Sequence, residues 1–416
     1  MFGNKCLHPS LFVVLVLAIC FASQAAQAST LVVGTCTSGI HFTSITAAIN
    51  AAPAGATIKI CPGLYYEQPP AITVKLTLEG VVSGNNDGVF IYPPATGLVA
   101  NTTDARGAVA AQILVQNTAG PVVISNLTVD GTGNNYNTTD LRGILYQDAS
   151  GTVKDVVVQN ELPAGSLSGD QTGQGIMVET TNSPSASLTV ANCSVQNYNK
   201  NGIVARYLGA SLTATGNYVQ GSGVVETAAQ NGIEIAFNGA TGTIKNNTVI
   251  DNVYGDPSSA ASSDILLYDT SGPITVSGNI LGNSQESISL TAATAGFGDG
   301  VSVTGNKIFG NSSFDAIDVC TNHNVVTGNT IFNTTESGVH LDASCAGGTG
   351  NNNTVSTNTI VGSACAGYLI DAGTTGNGTP AGTFFAVPFK ITSSTASCSI
   401  PGVEARRAKA VAKPKP

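Results

Sequence analysis

A short pattern restarts nine times along the chain: Gly143-Ile144, Gly175-Ile176, Gly202-Ile203, Gly232-Ile233, Asp264-Ile265, Ser287-Ile288, Ala316-Ile317, Gly338-Val339 and Gly367-Tyr368. The starts lie 22 to 32 residues apart. A period in this range means stacked units, none of which can bury an apolar face alone. Each unit holds short alternating runs broken by Gly, Asn or Ser, with no helical stretch between them. The regular leucines of leucine-rich repeats are missing, and the chain has no Trp for the Trp-Asp signature of a propeller blade. What remains is an all-β solenoid. It is a single-stranded right-handed parallel β-helix, one coil per repeat, with the hand of parallel crossovers.

A second pattern sits between the starts. It places Asn217, Asn247, Asn279, Asn306, Asn329 and Asn358 two residues before a Val, Ile or Leu. Every corner of a coil interrupts the strand ladder and leaves backbone N–H and C=O groups to be satisfied. An Asn at one corner of each coil can bond the backbone and the Asn of the next coil. Leu127, Val156 and Cys193 hold the aligned position in earlier coils, so an apolar stack should turn into an Asn ladder. Cys193 is then expected as a buried, unpaired thiol. Ile144, Ile176, Ile203, Ile233, Ile265, Ile288, Ile317 and Val339 should line the interior in one column. A slip of one residue would turn all of them outward.

The ends differ from the coils. Lys5, the apolar run from Leu11 to Phe21 and the small-residue site Ala26-Gln27-Ala28 read as a secretory leader over residues 1–28. The apolar run is 11 residues, too short for a span, which needs about 20. Residues 29–56 read as an N-terminal cap, with Ile45, Ala48, Ile49 and Ala52 at helical spacing. The coils should occupy 57–374, as a rod of roughly 11 or 12 rungs at about 4.8 Å per rung. A C-terminal cap follows over 375–403, with Phe384, Phe385, Val387 and Phe389 as its apolar residues. A basic disordered tail, Arg406, Arg407, Lys409, Lys413 and Lys415, closes the chain over 404–416. Beyond the leader, 15 basic residues face 25 acidic ones. That sign excludes nucleic acid as a partner. Export permits disulfides. Cys36 and Cys61 bracket one segment, and Cys320, Cys345, Cys365 and Cys398 could pair in any of three ways.

The helix, the segment "IKICPGLYYE" from Ile58 to Glu67 and the Gly-Asn-x-Ile coils together resemble the pectate-lyase-like superfamily of right-handed parallel β-helices, over about residues 40 to 375. The resemblance implies fold more than activity. Gly63 to Glu67 matches the opening of pectin methylesterases, but their Asp segments and Arg-Pro-Trp are missing. The Asn-Thr-Asp, Asp-Asp, Gly-His-Gly and Arg-Ile-Lys of polygalacturonases, the Asp-Pro-His of alginate epimerases and the Arg-x-Pro-x-x-Arg of pectate lyases are missing too. A copper-helper family shares such repeats, yet only three histidines follow the leader.

Site residues are sought beside long inserts, because loops on a rigid scaffold carry function. Four consecutive corners are long: Gly131 to Arg142, Glu161 to Gln174, Gly221 to Asn231 and Asn252 to Ser263. They should stack into a wall. On the strands beside it Met177, Glu179, Val204, Arg206, Glu234, Leu266 and Tyr268 should point outward. Arg206 is expected on a rung between Glu179 and Glu234. These three are the catalytic candidates, because paired carboxylates with an arginine suit acid–base work on a sugar or a Ca²⁺ beside an acidic polymer. Read instead as an exposed ion-pair ladder, they would contribute little, and Glu234→Ala would leave stability nearly unchanged. Met177, Tyr207, Tyr268, Asp170 and Asp256 are the substrate-binding candidates. A second cluster, Asp318, His340, Asp342 and Asp371, could transfer protons or hold a metal, or simply form a solvated stripe. The expected function is a secreted, periplasmic or cell-surface protein, monomeric and without a transmembrane segment. It would bind, cleave or eliminate a polysaccharide or cell-surface glycan. The alternative is a non-catalytic surface or matrix protein.

Overall fold

The computed structural model describes residues 29–393, except 83–87, 135–139, 164–170, 227, 257–259 and 312. The leader, Asp170, Cys398 and the basic tail lie outside the described residues, as do the tips of the four long corners. Among the described residues the fold is all-β with one helix, and its strands stack into a parallel β-helix with three faces. A 24-stranded sheet forms the first and second faces and a 12-stranded sheet the third. The first face begins with Thr30–Val33 and Ala56–Ile60 and ends with Thr354–Val361. The second runs from Gly63–Tyr66 to Ala381–Phe385. The third runs from Gly107–Gln116 through Asp140–Gln147, Gln174–Glu179, Asn201–Arg206, Asn231–Ala236, Ser263–Tyr268, Glu286–Thr291, Ile317–Val319, Val339–Leu341 and Ala366–Ile370 to Phe389–Thr392. Paired strands therefore reach past residues 57–374 at both ends. Of the apolar residues expected to cap the C-terminus, Phe384 and Val387 pack on the core, whereas Phe385 and Phe389 are exposed.

The interior is one continuous apolar column. Ile144, Ile176, Ile203, Ile233, Ile265, Ile288, Ile317 and Val339 pair in register from coil to coil and are all buried. Gly precedes the Ile for a packing reason. A Cβ on Gly232 would come within 2.1 Å of Val249 on the second face. The helix Ile45–Ala51 starts at Ser44, whose side chain accepts from the Ala47 N–H, and it buries Ile45, Ala48 and Ile49 against the core.

The corner between the first and second faces has a repeated geometry. Asn126, Asp155, Asn192, Gly216, Asn246, Gly278, Gly305, Gly328 and Thr357 all have φ between 55 and 67°. Gly, Asn and Asp tolerate this left-handed region best, and all but Thr357 are of those types. The next residue begins a hydrogen-bonded stack. Asn247 Oδ1 accepts from the Asn217 N–H at 3.0 Å and from its Nδ2 at 2.9 Å, while Asn217 Nδ2 also donates to Val190 O. The same triple contact recurs at Asn247, Asn279, Asn306 and Asn329 and ends at Asn358. Cys193 stands at the head of the stack. Its N–H donates to Asn217 Oδ1, and its thiol takes the place of the amide, 3.5 Å from Val153 O. The thiol is free and buried, and burial pushes its pKa up to about 12. A shorter stack, Asn324, Asn353 and Asn377, does the same work at the start of the first face, and sequence spacing did not reveal it.

Cys36 pairs with Cys61 and Cys320 with Cys345, and Cys365 is also disulfide-bonded. Among the described residues, no helix is long and apolar enough to cross a membrane.

The stack predicts its own weak point. Asn279→Ala strips the Asn247 N–H and Nδ2 of their acceptor and Ile244 O of its donor. Each buried group left unpaired costs about 1–3 kcal/mol, so urea unfolding should show a loss of several kcal/mol with the strand content retained.

Candidate functional site

The outer side of the third face carries polar residues along its whole length, and in the first half it is not open. The hairpin of Thr102–Asp104 with Gly107–Gln116 lies across it. Thr102 Oγ1 donates to Gln147 Oε1, Gln147 Nε2 donates to Thr103 O, and Asp104 meets Arg142 at 3.2 Å. Beneath it Leu114, Leu145, Met177 and Val204 form a second apolar cluster outside the coil. Met177 therefore cannot touch a substrate. It is fully buried, and its sulfur accepts from Arg142 Nε at 3.0 Å.

The three catalytic candidates are brought near one another but differ from expectation in register and exposure. Arg206 pairs with Glu179 on one side and Ala236 on the other, while Glu234 pairs with Val204. Glu234 thus reaches Arg206 diagonally, at 3.5 Å. Glu179, Arg206 and Glu234 are 0%, 1% and 3% exposed. They belong to a buried network rather than to an exposed ladder. Asp104, Asp140, Glu179 and Glu234 stand among Arg106, Arg142, Lys200 and Arg206, equal numbers of each sign. Arg142 bonds both oxygens of Asp140 and also contacts Gln174. Burial opposes charge on Glu234, yet Arg206, Lys200 and the amides of Asn231 and Asn201 hold its pKa below the usual range. Burial raises Glu179, with Arg142 opposing. Burial lowers Lys200 to about 8, and its Nζ donates to Ala229 O. Glu179 Oε2 and Arg206 Nε have no hydrogen-bond partner.

The substrate-binding candidates separate. Tyr207 and Tyr268 meet at the corner after the third face, with Phe237 between them. Ring centroids are 6.2 Å apart for Tyr207 and Phe237 and 5.3 Å for Phe237 and Tyr268. The Arg206 guanidinium lies 5.5 Å from the Phe237 ring centre. Tyr207 is partly exposed, Tyr268 is buried, and Leu208 beside them is 70% exposed. Asp256 is exposed on another corner.

The later coils bring the second cluster together and add Asp315 and Glu286. His340 is buried, so this is no solvated stripe. Its Nδ1 lies 3.2 Å from Asp315 and 3.3 Å from Asp318, and its Nε2 lies 3.1 Å from Asp371. Burial opposes charge on the ring, but Asp315, Asp318 and Asp371 raise its pKa well above the ordinary value. Burial and the Asp318 charge lift Asp342 to about 6. Burial opposes ionisation of Asp371, yet its bond to His340 holds it at about 2.

Sequence reading missed Asp104 and Arg106, which lie on a hairpin outside the repeat. It missed Asp315 and Glu286, although both stand two residues before a core Ile and so in one column. It also missed Glu161, fully buried at the corner before Gln174–Glu179. Neither carboxyl oxygen of Glu161 has a hydrogen-bond partner, and burial raises its pKa well above 4.5.

No family model and no curated protein matches the chain. Solved structures do. A GH136 lacto-N-biosidase from Eubacterium ramulus superposes with a TM-score of 0.52 at 11% identity, covering 88% of this chain and 68% of that one. PfbA, a surface adhesin of Streptococcus pneumoniae, gives 0.55 at 14% identity, covering 88% and 92%. At these identities the likeness shows the fold, a parallel β-helix.

Two outcomes follow from the burial. Glu234→Ala leaves Arg206 and Lys200 buried without their carboxylate, so it should cost about 3–5 kcal/mol in urea unfolding, against the neutral change expected of an exposed residue. Glu161 has a folded-state pKa above its unfolded one, so the stability it contributes is complete below pH about 4.5 and is lost as the pH rises through the folded value. Glu161→Gln removes that slope, and unfolding at pH 5 and 8 should show the variant gaining on the parent as the pH rises.

Proposed function

We propose that the chain is an exported carbohydrate-binding β-helix protein that grips a polysaccharide or cell-surface glycan at the aromatic corner of the third face. The observation that carries this reading is the backbone of Tyr207 and Phe237, with φ of 75° and 65°. Neighbouring coils place Asn117, Asp148 and Asp269 at positive φ after their third-face strands, side chains that accept it readily. A bulky aromatic residue there is strained by about 1–3 kcal/mol, and such strain is held where the side chain is used. The corner offers ring faces and Leu208 to the C–H faces of a sugar, with polar groups alongside for its hydroxyls.

Binding is favoured over cleavage at this place. Glu234 pairs with Arg206, Glu179 accepts from Gln147, and all three are closed off from solvent, so the two carboxylates serve to support Arg206 beside Phe237. A lacto-N-biosidase and a surface adhesin share the fold, so the fold does not choose between the two activities. Two described disulfides suit an oxidising compartment and the leader at 1–28. In this reading the coil winds right-handed, and the helix Ile45–Ala51 covers its open N-terminal end.

Tyr207→Gly tests the corner. Glycine relieves the left-handed strain as it removes the ring, so stability should stay within about 1 kcal/mol of the parent. Affinity electrophoresis against neutral and anionic polysaccharides, with and without Ca²⁺, should show retention of the parent and about tenfold weaker retention of the variant, the loss of one aromatic contact. Equal retention of the two, or no retention of the parent by any polymer, would overturn the reading.

A further inference from the structure

We infer that the late coils of the third face hold a divalent first-row transition metal ion, of the Mn²⁺ or Zn²⁺ class, with Asp315, Asp318 and His340 as ligands and Asp371 as the group that orients the histidine. The strand register builds this set. Asp318 pairs with His340 on adjacent coils, and Asp371 follows the next strand, Ala366–Ile370. His340 Nδ1 is 3.2 Å from Asp315 Oδ2 and 3.3 Å from Asp318 Oδ1, and one donor atom from each residue lies within 4.8 Å of the others. Ligands at about 2.0–2.2 Å from a metal, subtending about 90–110°, stand about 2.8–3.6 Å apart. Both nitrogen–oxygen spacings fall inside that range.

The far side of the ring fits as well. His340 Nε2 meets Asp371 Oδ1 at 3.1 Å, and Asp371 Oδ2 accepts from the Ala343 N–H at 3.1 Å. A carboxylate so anchored fixes the tautomer and tilt of a metal-bound imidazole. The remaining sulfurs nearby, Cys320 and Cys345, are tied in a disulfide and do not compete as ligands.

Two features separate this set from an ordinary acidic patch. The first is its charge. Among the described residues, Asp315, Asp318 and Asp371 form their ion pairs with one imidazole, Asp342 lies beside them, and Glu286 feels the charges of Asp318 and Asp315. The first-half network shows what this fold does when carboxylates are meant to be neutralised by protein, namely supply an equal number of cations. Carboxylates crowded together in a largely buried place are costly to ionise, and a bound cation would offset that cost. The second is Ser337, which occupies the position before Gly338-Val339 that Asp315 occupies before Ala316-Ile317. Its N–H donates to Asp315 Oδ1 at 2.8 Å, while its own Oγ is fully buried and has no hydrogen-bond partner. A bound ion, or a water carried by it, would satisfy that hydroxyl. The imidazole nitrogen decides the class of ion, because Ca²⁺ prefers six to eight oxygens and imidazole suits first-row transition metals.

The full chain, stripped with chelator and dialysed, is titrated calorimetrically with MnCl₂, ZnCl₂ and CaCl₂, beside Asp318→Asn, His340→Gln and Asp371→Asn. Asp318 is only half-buried, so its variant keeps the test sound if His340→Gln fails to fold, as circular dichroism will show. About one equivalent of Mn²⁺ or Zn²⁺ should bind the parent, with Ca²⁺ weaker, a loss above about 100-fold in Asp318→Asn and a loss of about 10–100-fold in Asp371→Asn, the range for a second-shell carboxylate. Failure of the parent to bind either ion, tighter binding of Ca²⁺, or unchanged affinity in Asp318→Asn overturns the assignment.

Discussion

Everything in this molecule depends on satisfying the backbone at the corners. Parallel strands satisfy one another only along a face, and each coil must turn three times. At the turn from the first to the second face, one left-handed residue bends the chain and the next one repairs the ladder. The repair is an Asn whose amide bridges its own coil and the adjacent one, from Asn217 to Asn358. Because the bond runs between coils, the stack fixes register at the corner as the Ile column fixes it inside. The earlier coils turn with Leu127, Val156 and Cys193 at the same place, buried against the core. Cys193 marks the change of regime, since its N–H already belongs to the amide stack while its side chain is still apolar.

With the coil so fixed, the outer side of the third face becomes a rigid board on which charge can be arranged. The two halves use it differently. In the first half the Thr102–Asp104 hairpin and the corner aromatics close over a network in which Asp104, Asp140 and Glu234 pair with cations and Glu179 accepts from Gln147. Buried ion pairs of this kind add little net stability but penalise any wrong arrangement. Their effect here is to seat the hairpin and to hold Arg206 beneath Phe237. In the second half, among the described residues, three carboxylates share their ion pairs with a single imidazole.

Much of the fold was legible from period alone. Position in the repeat told which residues face inward, and the Asn-x-Ile spacing placed the corner amides. The register of Arg206 was legible too. It lies three residues after Ile203, and three after Ile233 comes Ala236, so Glu234 was never its neighbour on the rung. Burial of the outward face was not legible, because it depends on a hairpin that belongs to no repeat and returns from another part of the chain. Alternation predicts direction, and direction equals exposure only when nothing else packs outside. Met177 shows the difference, pointing away from the coil into a second apolar cluster. Asp315 and Glu286 were hidden for another reason. Asp315 precedes its strand and Glu286 is the first residue of its own, places where the pattern of a β-run gives no weight to a side chain.

The strained corner and the crowded carboxylates share one physical condition. Each is a local conflict that an ordinary small domain would relax by shifting a loop or a strand. Here relaxation would have to break register against coils on both sides, whose corner bonds and interior contacts resist it together. A solenoid spreads the cost of one poor position over the neighbours that hold it. Such a scaffold can therefore keep Tyr207 and Phe237 in a backbone region that bulky residues avoid, and can keep Asp315, Asp318 and Asp371 drawn in around His340. Conflicts of local propensity with global fold concentrate where a protein is used. Along the third face the left-handed aromatics and the His340 cluster are two such places, and Asp264, buried between them in the strand Ser263–Tyr268 where most coils carry Gly, is another.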